Sequence, residues 1–286
     1  MRTSAQIVPF RDNPAARRRS HAVVFRAAPH YPGADIPGFS APLVYMYHSV
    51  TPYEVDPYLI TVSPQRFDQQ LRWLRRRGLK GVCMRELLAA RRTGRGAGLV
   101  GITFDDGYAD FASYAVPIME RHGFGATVFP IAARLGDDNE WDPEGPRKPL
   151  MTAEQVRQMA EAGMEVGSHG MHHVSLTSVT DADLVAEVRD SRAVLQDISG
   201  QEVAGFCYPY GHIDGRVVAA VRSAGYGYGC AIWRSALTGP HALTRTFVGD
   251  DDSAARLWAK SARHRLGWGH RGPAASSPSS AALRPR

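Results

Sequence analysis

The sequence contains few cysteines and no long apolar run. Only three cysteines, Cys83, Cys207 and Cys230, occur in 286 residues. They are far apart and odd in number, which indicates reduced thiols and no disulfide framework. No apolar run approaches the roughly 18 residues that a membrane-spanning helix needs, so we predict no transmembrane segment.

The N-terminus also lacks the apolar core of about 7–15 residues that a secretory signal peptide carries. We therefore predict a cytoplasmic protein. No helix-turn-helix, zinc finger or basic stripe with interleaved aromatics is present, so we expect no nucleic-acid partner. Three consecutive arginines at 17–19 are interpreted as part of a solvated tail rather than as a binding patch.

Positive charge is concentrated at the two ends of the chain. Of the formal net charge of +6, residues 1–40 contribute +4 and residues 261–286 contribute +5, which leaves −3 for residues 41–260. The first segment is rich in proline and lacks periodicity, so we predict an irregular basic leader. The last has the composition of a disordered basic tail. Residues 41–260 form the predicted globular domain.

Within the central domain, strand-like runs alternate with helical patterns. Strands are predicted at 43–47, 99–104, 126–130, 164–167, 204–207 and 228–232. Helices are predicted at 64–77, 111–122, 153–162, 181–199 and 214–224. This alternation predicts an α/β fold of parallel strands with helical crossovers. The polar motifs follow strands directly, at the end of a parallel sheet where ligands bind.

The first polar motif places two adjacent carboxylates, Asp105 and Asp106, directly after an apolar strand and before Gly107. If the extended geometry continues, the two side chains point in opposite directions and can have different roles. One can bind a cation while the other accepts a proton from water. An isolated Asp-Asp-Gly would more simply be a helix cap beside a turn. The histidines further along the chain favour the metal interpretation.

Those histidines are His169 and His173, which share one face of a helix or turn because they are four residues apart. Two imidazoles at this spacing can reach one ion about 2.0–2.1 Å away. With Asp106 they supply three ligands and leave a position open, as hydrolytic zinc requires. His172 is interpreted as a surface residue or as support for the ligands. A purely structural histidine pair is the alternative.

Three motifs in this order resemble those of the polysaccharide deacetylases, the NodB homology domain or carbohydrate esterase family 4. They are residues 103–108 (Thr-Phe-Asp-Asp-Gly-Tyr), residues 168–173 (Ser-His-Gly-Met-His-His) and residues 206–211 (Phe-Cys-Tyr-Pro-Tyr-Gly). The resemblance covers roughly residues 41–260. It implies a distorted (β/α)7 barrel and a divalent metal, usually Zn²⁺.

The resemblance also implies roles for single residues. Asp105 matches the family's catalytic base and Asp106 its metal-binding aspartate. His169 and His173 match the two metal histidines. Tyr210 matches the residue whose backbone N–H helps to bind the oxyanion.

The sequence departs from the family pattern at two places. Many members have an arginine at the position of Cys207, where it steadies the base, and we hypothesise that Arg245 supplies that charge. The late histidine that acts as general acid is also missing, since His264 and His270 lie in a segment expected to be irregular. The early Tyr47-His48 resembles a subgroup in which this histidine replaces the late one, so His48 is the candidate acid. A structural histidine is the alternative.

The resemblance thus implies a metal-dependent hydrolase that removes N-acetyl groups from an N-acetylhexosamine-containing poly- or oligosaccharide, using a metal-activated water. An O-acetyl esterase or a deacetylase of a small amino sugar would keep the same chemistry. A saccharide-binding barrel without turnover is the non-enzymatic alternative. The expected partner is a carbohydrate substrate, and no oligomeric state is predicted.

Overall fold

The computed structural model describes residues 40–265, which all lie in one compact unit. The predicted leader therefore falls outside the described residues except for Ser40. The strands are β1 (Val44–Tyr47), β2 (Ser49–Val50), β3 (Thr61–Val62), β4 (Lys80–Val82), β5 (Leu99–Phe104), β6 (Thr127–Val128), β7 (Glu165–Val166), β8 (Gly205–Cys207), β9 (Tyr228–Cys230) and β10 (Thr246–Phe247).

The helices are α1 (Pro64–Arg76), α2 (Met84–Arg92), α3 (Val116–His122), α4 (Ala153–Glu161), α5 (Asp181–Val185), α6 (Ser191–Ser199), α7 (Gly215–Ser223) and α8 (Ala254–Arg265). Two π-helical segments, Phe111–Ala115 and Ala186–Asp190, lead into α3 and α6. Short 3₁₀ turns are Ala132–Arg134, Leu176–Ser178 and Pro209–Gly211. No helix among the described residues is long and apolar enough to cross a bilayer.

All described strands except β2 and β3, which pair with each other, form a ring of parallel pairings. β10, β1, β5, β6 and β7 are neighbours in this order, and β4 pairs with the first half of β5. A bridge from Ser168 to Phe206 links the end of β7 to β8, which pairs with β9. A bridge from Cys230 to Leu243 then joins β9 to the segment that enters β10. Within the described residues the ring closes, and the predicted distorted (β/α)7 barrel is confirmed.

Side chains on the two faces of the strands fall into two buried clusters. In β1, Val44 belongs to a small cluster with Phe129, Cys230 and Leu243, whose positions on separate strands place it inside the barrel. Tyr45 belongs to the large cluster between the strands and the helices. This alternation is the period of two that a strand imposes. It leaves β1 and most of β5 buried on both faces, as parallel strands usually are.

Local signals in the sequence account for several helix ends. Thr152 and Gln155 form a reciprocal capping box at the start of α4, and Gly163 follows that helix with a φ of 84°. Ser63 is at the cap position of α1, but its hydroxyl donates to Asp250 Oδ1 at 2.7 Å instead of capping the helix. The hydroxyl of Ser63 therefore binds a distant loop instead of the helix.

The last helix reaches further than the sequence suggested. α8 runs to Arg265, so it includes residues 261–265 of the segment predicted to be a tail, and residues 266–286 lie outside the described part. His264, which we expected in irregular chain, lies on this helix with Nε2 3.1 Å from the carbonyl of Ala41. His270 lies outside the described residues.

Candidate active site

The two adjacent carboxylates lie at the end of β5, and both are buried. The extended backbone does not continue through them as the sequence analysis assumed. Gly107 N–H donates to the carbonyl of Asp105 at 2.8 Å, and Asp106 between them has a φ of 68°. This is a tight γ-turn in a strained conformation for a residue with a side chain. The turn, rather than strand alternation, directs the two carboxylates to different partners.

Asp106 meets the two predicted histidines. Its Oδ1 lies 3.2 Å from His169 Nε2 and 3.3 Å from His173 Nε2, and all three side chains are buried. Burial alone would raise the pKa of Asp106, but hydrogen bonds with His169 and His173 hold it well below its usual range. Burial lowers the pKa of His173, which favours the neutral imidazole that binds metals.

The donor set fits a divalent metal ion. Two ligand atoms that each lie about 2.0–2.1 Å from a tetrahedral ion are about 3.3–3.4 Å apart, and Asp106 Oδ1 already lies at this separation from each imidazole nitrogen. His169 Nδ1 donates to the carbonyl of Cys207 at 2.9 Å, so Nε2, which faces Asp106, is the nitrogen that can bind an ion. One carboxylate and two imidazoles suit Zn²⁺ and several other transition metals.

The histidines come together through a turn, not a helix. Gly170 has a φ of 81° and His173 a φ of 59°, so the chain reverses between the two imidazoles. His172 points away, with its side chain 60% exposed, and its Nδ1 lies 2.7 Å from Glu187 Oε1. The spacing of four residues therefore indicated that the two histidines lie close together, although it could not distinguish a helix from a turn.

Asp105 is paired with a buried arginine from the opposite end of the sequence. Arg245 Nη1 donates to Asp105 Oδ1 at 2.6 Å, and Nη2 donates to Oδ2 at 2.7 Å. Arg245 Nη1 also donates to Thr103 Oγ1, and Nη2 lies 3.1 Å from Cys207 Sγ. Burial alone would raise the pKa of Asp105, but the guanidinium outweighs this and lowers it. The carboxylate is therefore ionised throughout the neutral range.

The remaining candidates, His48 and Tyr210, border the same site. His48 follows β1, and its Nε2 lies 4.0 Å from Asp105 Oδ2. Tyr210 has a φ of 59°, is 44% exposed, and has its ring centroid 4.6 Å from that of His173. Burial, with the charge of Asp106, raises the pKa of Tyr210 to about 12, so its phenol is neutral. The structure thus brings all six predicted residues to one end of the barrel.

Sequence reasoning missed three residues around this site. Trp141 packs against His173 with ring centroids 4.5 Å apart, and no sequence motif around Trp141 indicates this contact. Lys148 is buried and donates to Thr61 Oγ1 and to Ser49 Oγ, the latter at 2.9 Å, next to His48. Glu187 is a buried acid on the apolar stripe of the predicted helix at 181–199. An acid on a buried helix face was a signal that the sequence already contained.

Residues 93–229 match the family described as polysaccharide deacetylase. The match spans all three motifs. This part of the chain belongs to the polysaccharide deacetylase family. The family suggested by the sequence motifs is therefore confirmed, whereas the subgroup suggested by Tyr47-His48 stays a prediction.

Two curated proteins illustrate the similarity. The Bacillus subtilis (strain 168) protein YxkH is 27% identical over 221 residues, which cover 76% of this chain and 74% of YxkH. The poly-beta-1,6-N-acetyl-D-glucosamine N-deacetylase of Staphylococcus aureus (strain MRSA252) is 24% identical over 204 residues, covering 67% of this chain and 69% of that polysaccharide deacetylase.

Solved structures support the fold. The Streptococcus pyogenes deacetylase PplD, in complex with acetate, superposes with a TM-score of 0.65 at 23% identity, covering 77% of this chain and 97% of PplD. IcaB from Ammonifex degensii superposes with a TM-score of 0.64 at 23% identity, covering 78% of this chain and 97% of IcaB. At this identity the likeness shows the fold alone.

The buried Asp105–Arg245 pair leads to a pH-dependent stability prediction. Arg245→Met leaves a buried carboxylate without its counter-charge, which should lower the free energy of unfolding by about 3–5 kcal/mol at pH 7. In the wild type the Asp105 pKa is lowered, so the pair's contribution is full above the unfolded pKa of about 3.9 and is lost as the pH falls below it. Without Arg245, burial raises the pKa, so the variant's deficit should shrink on acidification. Urea unfolding of the wild type and the variant at pH 7 and pH 5 measures the deficit and its decrease on acidification.

The matched control is Arg157→Met. Among the described residues, Arg157 pairs only with the exposed Glu154, three residues earlier on α4, and removing such a surface pair should change stability by less than about 1 kcal/mol at either pH. A deficit in Arg245→Met that equals the control, or that does not change with pH, would contradict the assigned role of the buried pair.

Proposed function

We propose that this polysaccharide deacetylase is a divalent metal-dependent hydrolase that removes N-acetyl groups from an N-acetylhexosamine-containing saccharide. The observation that carries the proposal is the convergence of Asp106, His169 and His173 on one point beside an ionised Asp105. The activity in the names of the related Staphylococcus aureus protein and the Streptococcus pyogenes structure supports deacetylation. The name of the former also favours an N-acetylated glucosamine polymer as the substrate class.

Asp106, His169 and His173 are the proposed metal ligands, and Zn²⁺ is the proposed ion. A bound divalent ion would supply Lewis acidity, which lowers the pKa of water and polarises a carbonyl oxygen. Burial lowers the pKa of His173, and the donor bond from His169 Nδ1 to the Cys207 carbonyl turns Nε2 of that ring toward Asp106. The three groups are buried, so water competes weakly for their positions.

Asp105 is the proposed base, which accepts a proton as water attacks the acetamide carbonyl. Arg245 keeps this carboxylate ionised and oriented, with both oxygens engaged. The backbone N–H of Tyr210 is the proposed donor to the oxyanion, and one such donor typically contributes about 3–4 kcal/mol to catalysis. The positive φ of Tyr210 fixes the direction of its peptide groups.

His48 is the proposed acid, which protonates the departing sugar nitrogen. Its Nε2 is 4.0 Å from Asp105, so acid and base are within reach of one acetamide group. The ring lies beside Phe247, with centroids 6.2 Å apart. Trp141 and Tyr210, which flank His173 and are both accessible, are suited to contact the faces of a sugar ring.

The direct test is acetate release from N-acetylglucosamine oligomers, measured with and without a chelator. We expect release that stops on chelation and returns with Zn²⁺ or Co²⁺. No release despite bound metal and sugar would favour a binding module without turnover. Release from O-acetylated but not N-acetylated sugars would favour an esterase. Release from monosaccharides alone would favour a deacetylase of a small amino sugar.

Substitutions at the two aspartates should separate base from ligand. Asp105→Asn removes the proton acceptor and should lower turnover by about 10²–10⁴-fold while metal content stays near that of the wild type. Asp106→Ala removes a ligand and should lose the metal. Turnover and metal content per chain are measured on the same preparations. Full turnover in Asp105→Asn would show that another group accepts the proton.

The acid role of His48 depends on the leaving group. A sugar amine must be protonated as it departs, whereas 4-nitrophenolate leaves without a proton. His48→Ala should therefore lower turnover of N-acetylglucosamine oligomers by about 10²-fold or more and leave 4-nitrophenyl acetate hydrolysis nearly unchanged. His172→Ala, which removes an exposed histidine that points away from Asp106, is the control for both substrates. Equal losses on the two substrates would assign His48 a role other than proton donation.

A further inference from the structure

The turn that carries the two candidate metal histidines is held by a single buried carboxylate. Glu187 Oε2 accepts hydrogen bonds from the backbone N–H groups of Met171, at 2.8 Å, and His172, at 3.2 Å. Its other oxygen lies 2.7 Å from His172 Nδ1. Glu187 is only 5% exposed. No lysine or arginine among the described residues forms an ion pair with it, so its charge is directed at this turn.

Every backbone N–H from His169 to His172 has a partner. His169 N–H donates to the Pro130 carbonyl at 3.0 Å, and Gly170 N–H to Ser168 Oγ at 3.2 Å. The next two donate to Glu187. The Gly170 and Met171 carbonyls accept from residues 132 and 133 at 2.9 and 3.0 Å. Of these partners, Glu187 is the charged one, and hydrogen bonds to charged groups are the stronger kind.

The chain places Glu187 at this point by an irregularity in its own helix. The π-helical segment Ala186–Asp190 interrupts the helical stretch between α5 and α6. Such a segment changes the direction of the side chains around it, and π-turns are frequent at functional sites. The fit on the other side is tight, because a Cβ at Gly170 would lie 3.0 Å from Glu187 Oε2. Glycine, with a φ of 81° there, leaves room for the carboxylate.

From these contacts we infer that Glu187 is a positioning residue that holds the turn between His169 and His173 in the shape that lets both imidazoles face Asp106. The inference rests on the proposed metal site. The backbone reverses between the two histidines through residues in left-handed conformations, which cost energy for His173. Without Glu187, the backbone N–H groups of Met171 and His172 would lose their acceptor, and the turn would relax toward conformations in which the imidazole nitrogens are further apart.

The test is the dissociation constant for Zn²⁺, measured by competition with a chromophoric chelator at a temperature well below unfolding. Glu187→Met should raise this constant about 10–100-fold, the usual effect of losing a group that orients metal ligands. Glu187→Gln keeps one oxygen for the two backbone N–H groups, so it should stay within about fivefold of the wild type. A residue that only stabilised the fold would lower the melting temperature without changing the dissociation constant of the folded protein.

Two control variants complete the design. Glu161→Met removes an exposed acid at the end of α4, away from the turn, and should leave Zn²⁺ affinity unchanged. His172→Ala removes the exposed partner but keeps both backbone bonds, so it should change affinity by less than about threefold. If Glu187→Met does not fold, Glu187→Asp replaces it, since its shorter carboxylate cannot keep all three contacts.

The outcomes separate this inference from the proposed function. Zn²⁺ affinity in Glu187→Met, or in its replacement, within twofold of the wild type would overturn the positioning role and leave the metal site standing. A wild-type chain that binds neither Zn²⁺ nor Co²⁺ would overturn the metal site itself, and the inference with it. Weakened binding in Glu187→Met with near-normal binding in Glu187→Gln and Glu161→Met would support it.

Discussion

Two consecutive carboxylates, both buried, have to be ionised side by side for this site to exist. Like charges at close range oppose this, and burial opposes it further. The protein meets the constraint by giving Asp105 and Asp106 different partners from different segments of the chain. Arg245 engages both oxygens of Asp105, whereas His169 and His173 converge on one oxygen of Asp106. The γ-turn at Asp106 is what allows neighbours in sequence to face different partners.

The barrel explains why these partners can meet. Parallel strands all present their carboxyl ends at one rim, so His48, Asp105, His169 and Tyr210 leave the ends of separate strands in the same direction. The strain is stored at the same rim: Asp106, His173 and Tyr210 are three of the four non-glycine residues with positive φ among those that the structure describes. Strained backbone of this kind persists where surrounding contacts over-determine it, and here a buried ion pair and a buried carboxylate supply those contacts.

The sequence predicted the features that depend on local patterns. The bounds of β5 and the first residue of α4 follow from neighbouring residues, and the structure agrees with both. It could not show that Asp250 would take the hydroxyl of Ser63, because that contact joins residues 187 positions apart. The sequence also could not show the π-helical segment that contains Glu187, because a pattern of apolar residues does not reveal a local change of one residue in the helical register. The site residues could be predicted because they lie in short motifs whose residue types indicate a chemistry. Apart from Arg245, the residues that support them were missed because they come from other segments of the chain.

Arg245 shows that the site needs a positive charge beside Asp105 but does not need it at one fixed position in the sequence. The family resemblance placed an arginine at the position of Cys207, and this chain has a thiol there. The structure puts Arg245 beside that thiol, with Nη2 3.1 Å from Sγ, and its guanidinium reaches the same carboxylate from a different strand. A small side chain at 207 is then required, because a second long cation would occupy the space that Arg245 fills. The electrostatic field at Asp105 depends on where the positive charge lies in space and not on which strand carries it. An arginine at position 207 or at position 245 can therefore stabilise the same carboxylate. Only the bidentate geometry, which holds the carboxylate in one orientation, has to be preserved.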